Sequence, residues 1–278
     1  MKTYQLIAVA MLSALAAIFQ LINNVVGIPT GFGMTVDLVG VPALLAFFLF
    51  GLDAALYVSV LTAFIITLIA PTTWLGASMK FAATLPMFLF PAIYVISVKG
   101  RSKNTKILIS LLFVIFLAMF ALMLPSSINL ISKQFITETN QTIYAIPKVE
   151  IIKVEGGSIT LGSLLLGLLP ITAIAILSLV LLIFWERYAK GANVSVFSNP
   201  YAMSLVLVAS VLVRGVTMLI ANYYYAGPIF WGISTEEFMQ LVPWYLIFGW
   251  NMFQGVLEVA LAWVVAFRFK FVKRYGTW

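Results

Sequence analysis

Asp37, Lys80, Arg214 and Glu258 are ionisable side chains set inside, or at the mouths of, long apolar runs. A polar group within a membrane span is costly, so each is a functional candidate by default. Asn251, Gln254 and Glu258 stand at i, i+3 and i+7 and share one helix face, with Trp244 a heptad before Asn251. Ser210, Arg214 and Thr217 share a face of the preceding run, with Asn222 toward its outer end. Antiparallel neighbours would bring Arg214 and Glu258 to one depth, where they pair as a structural staple with little net stabilisation after desolvation. Asn222, Asn251 and Gln254 lie nearer the outer half, placed to hydrogen-bond a captured polar solute. Lys80 and Thr84, at i and i+4, either contact that solute or carry a lysine that snorkels to the interface. Asp37 has two readings as well: a cap on the following helix, or the rim of the solute site. The expected solute-binding set is therefore Asp37, Lys80, Thr84, Asn222, Trp250, Asn251 and Gln254. Outer aromatics such as Trp74, Tyr223, Tyr225, Trp231 and Trp250 form an interfacial belt, a subset of which can stack on a flat ring.

Several chemistries are excluded. The chain has no cysteine and no histidine, which removes thiol nucleophiles, imidazole bases and the usual zinc sites. It contains no G-x-S-x-G, no H-E-x-x-H and no phosphate loop. No enzyme, metal or cofactor is expected, and any ATP hydrolysis that drives the chain belongs to another subunit.

The elements that position these residues are read from hydropathy. Of 278 residues, 63% are hydrophobic and 9% charged, against about 25% charged in soluble domains. One all-α membrane domain over residues 1–278 follows, without a cleavable leader. Eight apolar segments are read: Tyr4–Val26, Leu38–Phe50, Leu52–Ala70, Ser78–Val98, Ile107–Leu124, Leu161–Trp185, Ala202–Tyr223 and Leu241–Phe267. The second is too short to cross a ~30 Å hydrocarbon core, and it starts with Asp37, a proline at Pro42 and a stop at Gly51. Short interrupted helices of this kind line cavities inside membrane proteins. Eight spans place both termini on one side, with eleven Lys and Arg in its loops and tails against four opposite. The positive-inside rule makes that side cytoplasmic. The net charge of +7 thus needs no nucleic acid, and the basic tail is placed to touch anionic lipid. Between Pro125 and Thr160, alternation around Gly156-Gly157 predicts a small external β-hairpin. Ala10, Ala14 and Ala17 make a flat small-residue strip on the first span, suited to a close helix partner or to internal packing.

Four segments carry a family resemblance: LSALAAIFQL (12–21), the stretch with Asp37-Leu38, Pro42-Ala43-Leu44 and FLFG (48–51), MKFAATLPMFLFPA (79–92), and ANYYYAGP (221–228) with WNMFQG (250–255). In order and spacing the chain resembles the substrate-binding S component of energy-coupling factor transporters, nearest the riboflavin-type branch, over residues 4–98 and 202–270. It departs at Gln254, where the family has lysine, at Leu52, where proline is usual, and at Val39-Gly40, where a second acid is absent. The resemblance implies six core helices, with residues 99–200 an insertion of two further spans. It implies high-affinity capture of a vitamin-like solute, with riboflavin favoured because its flat ring suits aromatic walls and its ribityl chain suits Asn, Gln and Lys. It also implies docking through Ala10, Ala14 and Ala17 onto a transmembrane coupling subunit that carries two cytoplasmic ATPases. The competing reading is an autonomous secondary transporter or channel coupled through Asp37, Arg214 and Glu258.

Overall fold

In a computed structural model, residues 2–30, 33–70, 72–98 and 194–276 are described. The fifth and sixth apolar segments and the expected 125–160 hairpin lie outside them. The chain is an all-α membrane protein: among the described residues, five helices are long and apolar enough to cross a bilayer, and a shorter one is enclosed by them.

Helix α1 (Thr3–Val26) begins at Lys2, whose N–H donates to Gln5 Oε1 at 2.7 Å, and ends at Gly27. A two-residue antiparallel pair follows, β1 (Ile28–Pro29) against β2 (Thr35–Val36), with Ile28 opposite Val36. It then enters α2 (Val41–Phe50), where Pro42 occupies the first turn and its missing N–H costs no helical bond. Gly51 ends α2 at φ 104°, a left-handed conformation that a side chain would strain, and reverses the chain into α3 (Leu52–Ile69). Helix α4 (Thr73–Val98) tolerates Pro86 and Pro91, as buried membrane helices do.

The second half opens with a 3₁₀ turn (Val194–Ser198) and α5 (Pro200–Ala221), whose cap Asn199 accepts from Tyr201 N–H at 3.0 Å. A π turn over Asn222–Ala226 carries the chain into α6 (Gly227–Trp231). Helix α7 (Thr235–Leu241) is capped reciprocally by Ser234 and Glu237. The last expected span, Leu241–Phe267, is present as one span but begins at Trp244, because Pro243 cannot supply the N–H that would continue α7 and separates the two helices. Helix α8 (Trp244–Trp263) follows, then a π turn (Val264–Arg268) and α9 (Phe271–Tyr275).

Helix α2 sits at the centre, packed by α1, α3, α4 and α8. Its side chains from Pro42 to Leu44 and from Ala46 to Phe50 are buried, so this short helix is apolar all round and forms core. Sequence spacing predicted a cavity-lining helix; only the segment leading into it reaches polar ground. One end of the bundle collects the β-pair, the starts of α2, α4 and α8, and the end of α5, as the Ser78–Tyr225 and Met34–Asn251 contacts show. At the other end Phe197 is fully buried among Phe47, Phe48 and Tyr94, and its carbonyl accepts from Trp263 Nε1 at 2.7 Å. Tyr4 and α9 meet the C-terminal end of α2 there, so both described chain ends share one end of the bundle.

Candidate functional site

The four charges singled out by sequence form one buried network. Glu258 is fully buried on α8 and lies between two cations: Arg214 NH1 stands 2.5 Å from its Oε2 and Lys80 Nζ 3.1 Å from its Oε1. Lys80 also pairs with Asp37 Oδ1. Gln254 Nε2 donates to Glu258 Oε1 at 3.1 Å and lies 3.3 Å from both the backbone oxygen and Oδ1 of Asp37. Two carboxylates and two cations from four chain segments thus cancel in charge, which is how a low-dielectric interior tolerates them.

Local structure explains each placement. Asp37 follows β2, and its Oδ1 accepts from Val39 N–H at 2.9 Å. It is not the cap of α2: Gly40 is, without a side-chain bond. Lys80 does not snorkel to the surface. Its side chain is only 13% exposed and turns inward to the acids. The stripe Asn251–Gln254–Glu258 faces the stripe Ser210–Arg214–Thr217, and all six side chains are buried.

Gly40 supplies the space. A Cβ there would stand 2.6–2.7 Å from the Glu258 carboxylate, which its two cations hold in place. Its backbone is ordinary, at φ −77°, so the demand is for volume alone. Gly40→Ala is expected to cost about 1–3 kcal/mol by overpacking, read as a lower melting temperature in detergent. The loss should shrink in a Glu258→Ala background; an equal loss there would show that the carboxylate is not what Gly40 accommodates.

The remaining candidates divide. Asn251 Nδ2 donates to Ile247 O at 2.8 Å and lies 3.4 Å from Met34 Sδ, so the site reaches the residue just before β2. Thr84 Oγ1 donates to Lys80 O within its own helix, and Asn222 Nδ2 to Met218 O. Trp250 is half-buried, packs in the cluster of Tyr223 and Phe238, and meets Phe253 edge to face. Of the small-residue strip, Ala10 and Ala14 are exposed and Ala17 is half-buried, while Val9, Ser13 and Ala16 face inward. Sequence reasoning missed Met34 and Gly40, whose roles depend on where the β-pair lies. Thr217 was legible as a member of the Arg214 stripe.

Three polar atoms in these stripes have no hydrogen-bond partner among the described residues: Arg214 Nε, Thr217 Oγ1 and Asn251 Oδ1. Thr217 stands about one helical turn from Arg214 and Asn251 about two turns from Glu258, each toward the β-pair end of its helix. A buried polar atom without a partner costs about 1–3 kcal/mol, and native interiors satisfy nearly all of them. Among the described residues, a guanidinium N–H, a hydroxyl and an amide oxygen are thus left open in and beside the ionic network. No protein-family model, characterised protein or solved structure matches the chain.

Proposed function

We propose that this protein is the solute-binding membrane subunit of an ATP-driven uptake system of the energy-coupling factor type, taking a vitamin-like solute, riboflavin first. The observation that carries this reading is the set of buried, unpartnered atoms Arg214 Nε, Thr217 Oγ1 and Asn251 Oδ1. They offer a donor, a hydroxyl and an acceptor to one small polar molecule. The exposed Ala10 and Ala14 on α1 support docking onto a coupling subunit, since packing among the described residues leaves them open. In this reading the protein lies in the plasma membrane with both termini cytoplasmic, and the ATPases are separate chains.

The test is purification followed by a search for co-purifying yellow flavin and titration with riboflavin by fluorescence quenching. Saturation at or below about 1 μM is expected, corresponding to about −8 kcal/mol. Asn251→Ala should weaken it by about tenfold or more, the cost of a lost buried hydrogen bond. Tight binding of a different vitamin with none of riboflavin would overturn the solute and keep the mechanism.

A second reading, a secondary transporter coupled through Asp37, Arg214 and Glu258, is favoured by one observation: Lys80 joins all three charges in one network. It predicts uptake into liposomes by this chain alone under a proton or sodium gradient. Such uptake would replace the proposal.

A further inference from the structure

The C-terminal segment after α8 carries a basic, ring-rich patch apart from the Glu258 network. Arg268, Lys270, Lys273 and Arg274 are all exposed and fall within seven residues, and no acid follows Glu258 in the chain. None of the four has an ion-pair partner among the described residues. The same segment exposes apolar rings between the cations: Phe269 is 67% exposed, Tyr275 50% and Phe271 39%. Arg268 lies 5.4 Å from the ring centroid of Trp263, where the membrane-length run of α8 ends.

The backbone fixes where this segment points. Lys270 takes a left-handed conformation at φ 61°, rare for a residue with a side chain, and turns the chain out of the π turn into α9. Val272 then packs against the cluster of Ala46, Leu49 and Phe50 of α2, so α9 lies against the end of the bundle instead of continuing away from it. Rings and cations alternate along a segment that leaves a membrane span and folds back at once. Water alone would not favour the exposed rings, and an acidic soluble partner would use the cations only. The headgroup region of a bilayer takes both, rings at the interface and cations on phosphate.

We propose that residues 268–275 form a binding site for anionic phospholipid headgroups, with Arg268, Lys270, Lys273 and Arg274 on the phosphates and Phe269, Phe271 and Tyr275 in the interface. Each basic residue near an anionic surface favours binding by about fivefold before screening.

The full chain in mild detergent is offered equal phosphatidylglycerol and phosphatidylcholine of matched acyl chains, and bound lipids are counted by native mass spectrometry. Wild type is expected to prefer phosphatidylglycerol by about tenfold, and the R268Q/K270Q/K273Q/R274Q variant by less than about twofold. F269S/F271S should keep the preference while retaining less lipid of either kind. If the quadruple variant fails to fold, K273Q/R274Q serves, and its preference should fall by about half or more on a logarithmic scale. Equal binding of the two lipids by wild type would overturn the proposal, as would a preference unchanged in the folded charge variants. Displacement of phosphatidylglycerol by millimolar inorganic phosphate would mean a soluble-phosphate site, and displacement by an acidic peptide a protein-docking site. Either would overturn it too.

Discussion

Glu258→Ala is expected to produce the largest loss of stability of any substitution in the site. The side chain is fully buried and neutralises Arg214, which is 1% exposed, and half-neutralises Lys80. Removing it leaves a guanidinium inside the bundle with no counter-charge, a change that costs about 3–5 kcal/mol in buried pairs. A double-mutant cycle separates that penalty from any intrinsic value of the pair. Arg214→Leu should also be severe, because it leaves Glu258 and Asp37 facing Lys80 alone. Arg214→Leu with Glu258→Ala keeps the Lys80–Asp37 pair in balance and should be less harmful than the sum of the singles by at least about 1 kcal/mol. Melting temperature in detergent reads each variant. Additive losses would show that the two charges do not compensate each other. Lys80→Met should be milder than either, since Lys80 and Asp37 are 13% and 10% exposed and water can reach what remains.

How much of this was legible follows from the range of each signal. The Arg214–Glu258 pair was readable because two stripes of helical period, Ser210–Arg214–Thr217 and Asn251–Gln254–Glu258, fix faces locally and antiparallel neighbours fix depth. That Lys80 and Asp37 join the pair was not. Asp37 reaches Lys80 because the β1–β2 pair folds the segment before α2 over the start of α4, and two-residue strands carry no alternating pattern to detect. Asp37, Pro42 and the short run ending at Gly51 made α2 look like a cavity wall: its polar entry was visible, its enclosure by α1, α3, α4 and α8 was not. Pro243 announced a helix break, but apolar residues on both sides outweighed it in the hydropathy reading. Val39-Gly40, where the resemblance led one to expect an acid, has a physical counterpart. The side chain missing at Gly40 leaves the space that the Glu258 carboxylate occupies, so α8 brings a negative charge to the place where the local segment lacks one.

Ala14→Trp is expected to have the largest functional effect in the proposed uptake system, and it separates docking from binding. Ala14 is exposed on α1 beside exposed Met11, Leu15 and Ile18, while the same helix turns Val9, Ser13 and Ala16 into the bundle. A tryptophan at this position therefore meets no described core residue and should leave folding and riboflavin titration unchanged. It would stand between α1 and any helix that approached across the small residues, where close contact depends on their size. Loss of contact across such an interface should lower transport by the assembled complex by about tenfold or more, as truncation or obstruction of a central contact does elsewhere. The conservative control is Ala14→Ser, which keeps the strip small and should transport as wild type does. Transport unchanged by Ala14→Trp would place the coupling partner on another face. Lost solute binding would mean that α1 is held by packing on that side, and the docking role would fall with it. The variant also divides the two mechanisms: a secondary transporter working alone needs no partner helix at Ala14, so its uptake into liposomes should survive the tryptophan.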